Sequence, residues 1–416
     1  MKVIILDGNE NQAVACVRSL ARAGHEVHVG APARWSKASW SRFASGKFQY
    51  VSPEVSALSY VEDIVRELGR LGPALVLPMT ERSLSLLSER REEVFAAGGQ
   101  MILPPHEIVT RAFDKQATME LARSLGVAVP KSVLIQGLGE CERLKTMLTY
   151  PAVLKPRSSQ QASGGRLRPT GRPGYAKNPA QLIAACSKMF SRSSEILIQE
   201  FVEGNGEGYF ALLRHGKVRA EFAHRRLRDV NPTGSGSALR ISKQPEPRLR
   251  DMAIALLEAL HWHGVAMVEF RVRPDGTPVL LEVNGRFWTS LSLAVHAGVD
   301  FPALLAEMAE RGDIPHASEY CEGVRCRWLL GDFRHLLAVW MGAPEGFPGK
   351  FPGRLSTLKQ FLLPVRKTFH DNFQIEDPLP ELGDWLDFFL RRVPQFMGRS
   401  RRTKEDTNAE RRLSPS

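Results

Sequence analysis

Hydrophobic and polar positions follow a repeating order along the first hundred residues. Short apolar runs such as VIIL are typical of buried strands, and the stretches between them carry apolar residues at helical spacing. The stretch QAVACVRSLARAG is one of these, and it closes at Gly24, a residue suited to the left-handed turn that ends many helices. Strands that alternate with helices predict a parallel sheet covered on both faces.

Residues 1–110 are therefore expected to form a Rossmann-like domain of the α/β class. The turn after its first strand, DGNENQ, lacks the G-x-G-x-x-G spacing of dinucleotide sites. We accordingly expect this domain to be a scaffold and one wall of a site, without nicotinamide chemistry.

The pattern changes after residue 110, where strands and helices mix without regular alternation. This mixture predicts an α+β domain over residues 111–320. Residues 321–397 are interrupted by prolines and are expected to form a helical extension. Its segment WLDFFLRRVPQFM predicts a short amphipathic helix, which we expect to pack on the main body rather than on a membrane surface. Residues 398–416 have the composition of a disordered basic tail.

The charge of the chain raises the question of an anionic partner. The 416 residues carry a formal net charge of +11, which suits nucleic acid or a bound polyphosphate. Much of it lies in HRRLR at 224–228 and GRSRR at 398–402. No aromatic residues are interleaved there as in RNA-binding motifs, so we do not expect nucleic acid to be the main ligand.

Cysteine usage and hydropathy point to the compartment. Five cysteines are scattered along the chain, and Cys321 and Cys326 lack the second pair that a zinc site needs. The first apolar run is too short for a signal peptide, and no segment approaches the length of a membrane span. We expect reduced thiols and a cytoplasmic location.

The segments MVEFRV and PVLLEV predict a hairpin that carries two opposed carboxylates. Between them lies Asp275-Gly276, a strong turn signal. A two- or four-residue loop places Glu269 directly opposite Glu282, with the side chains about 5 Å apart. Met267 and Leu280 are expected on the same face as the glutamates, and Phe270 and Leu281 on the other.

Because both faces of this hairpin are otherwise apolar, the opposed glutamates need a compensating cation. Two carboxylates and the amide oxygen of Asn284 are hard ligands that suit Mg²⁺ or Mn²⁺. Arg286 follows closely, and its guanidinium is able to hold an anion through two hydrogen bonds. The end of this strand therefore predicts half of a site for metal and phosphate.

Glu269 followed by EVNGR at 282–286 resembles the ATP-grasp superfamily, whose pattern is a Glu and then E-x-N-x-R on the next strand. The segments HRRLRDVNPTGSGSALRIS and NGRFWTSLSLAVHAGVDFP look closest to its carbamoyl-phosphate-synthase-like branch of carboxylate–amine ligases. The resemblance covers roughly residues 1–310. It implies an ATP-grasp fold, in which two α+β lobes within 111–320 hold ATP between them behind the Rossmann-like domain.

The resemblance also implies roles for residues outside the hairpin. The phosphates would be held by Lys115 in FDKQATM, by Lys155 in YPAVLKP and by a flexible loop with Gly164 and Gly165. The adenine ring would contact Glu200, Phe201 and Val202. The ribose hydroxyls would contact Glu207. Each residue taken alone also fits a plain surface role. Arg225, Arg226 and Arg240 either face the triphosphate or an acidic substrate, or form a solvated basic face.

The implied activity is an ATP- and Mg²⁺-dependent ligation of a small carboxylate to an amine through an acylphosphate, with release of ADP and phosphate. In it Arg286 would steady the acylphosphate. Two alternatives stay open, an ATP-binding regulator without turnover and a nucleic-acid-binding protein that acts through its tail. A homodimer is also left open. The Gly-, Arg- and Pro-rich segment 156–178 is either a lid that orders on nucleotide or a surface insertion that never closes.

Overall fold

The computed structural model describes residues 1–317, 319–363 and 367–392. The predicted tail, 398–416, lies outside these residues. Within them, no single helix is long and apolar enough to cross a membrane, although the bent pair Leu291–Ala297 and Phe301–Arg311 reaches that length and composition together.

The N-terminal part of the chain forms a five-stranded parallel sheet with helices between its strands. Its elements are β1 (Lys2–Ile5), α1 (Asn11–Arg22), β2 (Glu26–Ala31), β3 (Gly46–Gln49), α2 (Ala57–Leu71), β4 (Ala74–Leu77), α3 (Glu81–Glu89), α4 (Arg91–Ala96) and β5 (Gly99–Gln100). The strand order is β3-β2-β1-β4-β5, so the sheet is built outward from β1 in both directions. The predicted Rossmann-like layer is confirmed.

Asp7 ties the carboxyl ends of β1 and β4 together. It follows β1 with a positive φ of 56°, and its carboxylate accepts hydrogen bonds from the backbone N–H groups of Met79 and Thr80 and from the hydroxyl of Ser83. Ligands of open parallel sheets bind at this edge. The carboxylate of Asp7 is used in hydrogen bonds that hold the N-terminal sheet together.

A smaller lobe follows, built on a four-stranded antiparallel sheet. Helices α5 (His106–Phe113) and α6 (Lys115–Ser124) precede it and pack in the core of the rest of the molecule. The elements of the lobe are β6 (Ser132–Ile135), α7 (Leu138–Leu144), β7 (Ala152–Pro156), the hairpin β8 (Gln160–Ser163) and β9 (Arg166–Pro169), β10 (Gly174–Ala176), α8 (Pro179–Phe190) and β11 (Ile196–Glu200). The sheet order is β10-β7-β11-β6. Its own core, which includes Ile135, Leu154 and Ile198, is separate from the cores of the rest of the molecule.

The largest sheet has seven strands and supports the rest of the described chain. Its first part comprises β12 (Asn205–Arg214), β13 (Lys217–Asn231), β14 (Ser235–Ser242), α9 (Pro247–Ala259), β15 (Gly264–Val272), β16 (Pro278–Asn284), α10 (Leu291–Ala297) and α11 (Phe301–Arg311). The strand order is β16-β15-β12-β13-β14, and two further strands follow β14. Two continuous cores join this sheet to the two faces of the N-terminal sheet.

The C-terminal segment supplies the last two strands of that sheet. It comprises β17 (Arg325–Arg327), α12 (Leu329–Met341), α13 (Arg354–Leu362), β18 (Thr368–His370), α14 (Leu379–Asp387) and a π-helical turn, Phe388–Arg392. β17 pairs antiparallel with β14, and β18 runs parallel to β17. The segment predicted to be helical does contain α12, α13 and α14, but it also contributes two short strands, because the edge of β14 offers unpaired backbone groups that the segment covers.

Candidate active site

A cavity of about 290 Å³ lies between the four-stranded sheet and the seven-stranded sheet. One wall comes from β7 and β11, and the other from β15 and β16. The predicted site residues that line it are Lys115, Lys155, Glu200, Phe201, Val202, Glu269 and Glu282. These residues are far apart in the sequence, and the fold brings them to one space.

Glu269 and Glu282 are direct register partners on β15 and β16, as predicted. The route to this register differs from the prediction. The N–H of Arg273 donates to the carbonyl of Thr277 at 2.9 Å, which leaves a three-residue turn that closes at Gly276 with φ of 84°. An odd loop alone would separate the glutamates, but a β-bulge at Leu281 restores the register.

The bulge also changes which side chains face the cavity. Leu281 and Glu282 both line it, although they are neighbours in the chain. Leu280 instead pairs with Phe270, and both are fully buried in the core behind the sheet. The predicted faces of Leu280 and Leu281 were therefore wrong, because an inserted residue reverses the alternation of a strand.

Several cations around the cavity compensate the charge of Glu282. Burial alone would raise its pKa, but Lys115, the hydrogen bond from Asn284, Lys155 and Arg286 together bring the pKa below its ordinary value. Desolvation lowers the pKa of Lys155, and Glu282 opposes that effect. Opposite charges that face the same cavity thus keep Glu282 ionised.

Glu269 has a cation from the protein itself. Its carboxylate accepts a hydrogen bond from Arg226, whose guanidinium also lies 3.4 Å from the carboxylate of Asp229. Burial would lower the pKa of Arg226, and the two acids raise it instead. The sequence left Arg226 open between a ligand contact and a solvated face, and the structure makes it a buried partner of Glu269.

The two other arginines left open have different surroundings. Arg225 is exposed on β13. Arg240 is fully buried and ion-paired with Asp371 of the C-terminal segment. Neither lines the cavity.

Asn284 orients Glu282 rather than facing the cavity. Its amide donates to the Glu282 carboxylate at 3.0 Å, and its carbonyl oxygen accepts from Arg286 at 3.4 Å. Arg286 itself lines a small recess beside the carboxyl end of β4. In this arrangement Asn284 links Glu282 to Arg286, and its role as a metal ligand stays a prediction. Among the described residues no group of three or more His, Cys, Asp or Glu could hold a metal ion.

Lys115 is held at the start of α6. Asp114 caps that helix by accepting the N–H groups of Gln116 and Ala117, and it pairs with Arg157 at 2.6 Å. The Lys115 ammonium donates to the hydroxyl of Ser159 at 3.2 Å. The cap fixes the lysine at the mouth of the cavity, where a phosphate oxygen has access to it.

The other end of the cavity is apolar and includes a contribution that the sequence did not reveal. Phe201 and Tyr175 line it, and the ring of Phe347 packs edge-on against both at 6.0 and 5.1 Å. Glu200 is paired with Arg273 at 3.0 Å. Phe347 lies in the loop before α13, so the C-terminal segment supports the wall that was predicted to meet adenine.

Glu207 is not part of this cavity. Its register partner on β15 is Phe270, which faces the core, so Glu207 lies on the opposite side of the sheet from Glu269. Its carboxylate pairs with Lys243 at 2.8 Å. The placement does not support the predicted ribose role, because alternation along β12 turns this side chain away from the cleft.

Gly164 and Gly165 form the tight turn of the β8–β9 hairpin, both with positive φ. The tip docks on the N-terminal part of the chain. The carbonyl of Gly165 accepts the N–H of Ala57 at 2.9 Å, and the N–H of Leu167 donates to the carbonyl of Pro53 at 3.0 Å. In this structure the glycines are thus away from the cavity lining, and the base of the hairpin, with Ser159, reaches it.

Two carboxylates at the carboxyl edge of the N-terminal sheet were missed. Glu10 follows β1 and Glu81 follows β4. Burial raises the pKa of both carboxyl groups. Lys37 and Arg286 oppose the rise in the pKa of Glu10. Lys115 and Arg286 oppose the rise in the pKa of Glu81. Their positions just after parallel strands are the signal that could have identified them.

Comparisons with known proteins agree with this architecture. The model of the family described as "ATP-grasp in the biosynthetic pathway with Ter operon" matches residues 192–331, the range that contains both glutamates. The chain has an ATP-grasp fold. The large chain of carbamoyl phosphate synthase from Methanoculleus marisnigri is 24% identical to it over 227 residues, which are 52% of this chain and 20% of that protein. The chain thus spans about a fifth of the length of that relative.

Solved structures share the ATP-grasp fold with this protein at low identity. An L-amino acid ligase from Bacillus licheniformis superposes with a TM-score of 0.56 at 16% identity, over 74% of each chain. The biotin carboxylase domain dimer of Hydrogenobacter thermophilus 2-oxoglutarate carboxylase, in complex with MgADP, ADP and bicarbonate, superposes with a TM-score of 0.59 at 15% identity, over 78% of this chain and 72% of that one.

Proposed function

We propose that this ATP-grasp protein is an ATP- and Mg²⁺-dependent ligase that joins a carboxylate to an amine through an acylphosphate and releases ADP and phosphate. The observation that carries the proposal is the opposed pair Glu269 and Glu282, which shares one cavity with Lys115 and Lys155. The relatives named as carbamoyl phosphate synthase and L-amino acid ligase support the reaction class.

The cavity suits a nucleotide because its two ends differ in polarity. Phe201, Val202 and Tyr175 form an apolar end that fits a purine ring, and the lysines at the other end supply point charges for phosphate oxygens. The structural neighbour solved with MgADP supports ATP as the bound nucleotide.

The donor set of the cavity fits magnesium. Two carboxylates without a third acidic ligand match a cation that keeps several waters and takes its remaining ligands from phosphate. Glu269 and Glu282 would hold Mg²⁺, which would supply neutralisation of the negative charge on the phosphates. Asn284 would fix the orientation of Glu282, and Arg226 would share Glu269 with the metal.

The remaining residues would position the reactants. The substrate carboxylate would attack the γ-phosphate of ATP next to Arg286, whose guanidinium would steady the acylphosphate. The amine would then displace phosphate. Glu10 and Glu81 have raised pKa values near Arg286, which suits groups that accept a proton from the attacking ammonium. No covalent enzyme intermediate is required, so catalysis would rest on positioning and charge neutralisation.

An ADP-release assay over a panel of carboxylates and amines tests the proposal. We expect ADP to form only when an active pair of substrates is present, and we expect the methyl ester of the active acid to be inert, because it has no carboxylate oxygen to phosphorylate. An ATP-binding regulator without turnover would bind ATP and form no ADP in any mixture. Equal turnover of ester and free acid would contradict the acylphosphate route.

A further inference from the structure

Helix α14 has its polar and apolar faces in an unusual arrangement. Its acidic residues Glu381 and Asp384 are buried against the protein, and Asp387 is half-buried. Among residues 379–390 the exposed side chains are all apolar, and they are Leu379, Leu382, Leu386, Phe389 and Leu390. We call these five residues the C-terminal apolar stripe. A surface helix normally buries such a stripe and exposes its acids.

Specific partners hold the helix in this orientation. The carboxylate of Asp384 pairs with Lys37 at 3.0 Å and accepts the indole N–H of Trp328 at 2.6 Å. Within α14 itself, Glu381 accepts the indole N–H of Trp385 at 2.7 Å. Rotation of the helix to bury the stripe would leave Lys37 buried without its carboxylate, which is strongly unfavourable. The outward direction of the stripe is therefore built into the fold.

The spacing of the stripe is that of one continuous helix face. Positions 379, 382, 386 and 389 are three or four residues apart, which aligns their side chains along one side. Ile375, four residues before Leu379, adds to the apolar surface and is 91% exposed. Apolar surface of this extent marks an interaction site in a folded protein.

The sequence around the stripe indicates the chemistry of the partner. Residues 388–404 contain five arginines and one lysine and no acidic residue. A helix with an apolar face joined to a polybasic run has the two signals that stable attachment to an anionic lipid surface needs. An interface with a second copy of this chain would bring the basic runs of both copies together, which like charges disfavour.

We propose that α14 and the turn after it lie in the interface of a lipid bilayer that carries anionic headgroups. The C-terminal apolar stripe would enter the boundary with the acyl chains, and the basic run would meet the headgroups. The proposal does not rest on the proposed ligase function, since the cavity is formed by other elements. It gives the amphipathic segment both roles considered from the sequence, packing through its polar face and membrane contact through its apolar face.

Cosedimentation of the full chain with vesicles tests the proposal. We expect at least about tenfold stronger partitioning onto phosphatidylcholine vesicles with about 30% phosphatidylserine than onto phosphatidylcholine alone, and a decrease with added salt. Changing two stripe residues, Leu382→Asp with Leu386→Asp, should lower partitioning by about tenfold or more. The matched control, Leu138→Asp with Met147→Asp, changes two exposed apolar residues of the smaller lobe and should leave partitioning unchanged.

A second pair of variants separates the two signals. Arg401→Gln with Arg402→Gln should reduce the preference for anionic vesicles and flatten the salt dependence. All variants are first compared by thermal unfolding. Failure of the unchanged chain to bind anionic vesicles, or equal binding by the stripe variant, would overturn the proposal. It would also fail if the unchanged chain formed a dimer, did not bind vesicles and became monomeric when the stripe was changed, since the stripe would then meet a second copy.

Discussion

Buried charges occur in two regions of this protein, and they are arranged in opposite ways. In the contact between the C-terminal segment and the rest of the chain, which we call the C-terminal clasp, three buried cations each have their own carboxylate: Arg18 with Asp377 at 2.8 Å, Lys37 with Asp384 at 3.0 Å, and Arg240 with Asp371. In the cavity, two lysines and two glutamates face a shared space.

The difference separates charges that hold the fold from charges that bind a ligand. A fully paired buried ion contributes to the integrity of a contact, and removal of one partner is strongly destabilising. Charges that face a cavity without a fixed partner of their own still attract a ligand of complementary charge. Substitutions in the clasp should therefore change stability, and those in the cavity should change turnover.

The largest expected effect is on stability, from the clasp. Asp371→Ala leaves the guanidinium of Arg240 buried without a counter-ion, and we expect the free energy of unfolding to fall by about 3–5 kcal/mol. Denaturant unfolding measures the loss. Asp313→Ala breaks an exposed ion pair with Arg219 and serves as the control, with little expected change. Similar losses in both variants would remove the distinction between the clasp and an ordinary surface pair.

The next effect concerns the pH dependence of the same region. Burial raises the pKa of Glu381 to about 7, with Trp385 and Lys37 opposing the rise and Asp384 and Asp371 adding to it. The folded state therefore binds the proton of the Glu381 carboxyl more tightly than the unfolded state does. The stabilisation from this proton is lost as the pH rises from about 4.5 through about 7.

We expect Glu381→Gln to remove this loss, which amounts to about 3 kcal/mol. Urea unfolding of both proteins at pH 5 and pH 8 measures the difference. The unchanged protein should lose more stability than the variant between the two pH values. Parallel pH profiles would show that the carboxyl group titrates in the same range in both states.

On the cavity side, Glu282→Gln keeps the shape of the side chain and removes its charge. We expect ATP binding to weaken modestly and ADP formation to fall by about 100-fold or more, as for loss of one charge contact in the transition state. Steady-state kinetics and nucleotide titration separate the two effects. Glu207→Gln is the matched control, because Glu207 lies behind the sheet and should leave turnover nearly unchanged. Full activity in Glu282→Gln would contradict the metal assignment.

The smallest expected effect is a change in mobility of the β8–β9 hairpin. Its tip is held by backbone hydrogen bonds to Pro53 and Ala57, and its base lines the cavity at Ser159. We expect amides of residues 160–168 to exchange about tenfold more slowly when an ATP analogue and Mg²⁺ are bound. Hydrogen exchange with and without the ligand measures this, and equal rates would favour the surface insertion over the lid.

Local pattern was sufficient for some of this structure. The alternation of strands and helices predicts the parallel sheet, and the apolar flanks of Asp275-Gly276 predict that Glu269 faces Glu282. The bulge at Leu281 was not predictable, because it depends on how β16 fits its neighbour and the core behind it. The prediction was right in outcome because the bulge and the odd loop offset each other.

Long-range partners account for most of what the sequence did not reveal. Glu207 was assigned from its place in a motif, but its ion pair with Lys243 and its position behind the sheet depend on the register of β12. Arg240 looked like a basic surface residue because Asp371 lies 131 positions further along the chain. Phe347 reaches the cavity wall from a loop with no signal of its own.

The clasp also has a consequence for how the chain is made. Arg18 lies in the first helix, but Asp377 is 359 positions further along. A growing chain therefore displays its N-terminal sheet on the ribosome long before the acid that neutralises this arginine has been synthesised. Until then, burial of α1 would leave the guanidinium of Arg18 without a counter-ion. The edge of β14 also remains unpaired until β17 and β18 have been synthesised. We expect the early product to remain loosely assembled and open to chaperones, and its final closure to be a single late event.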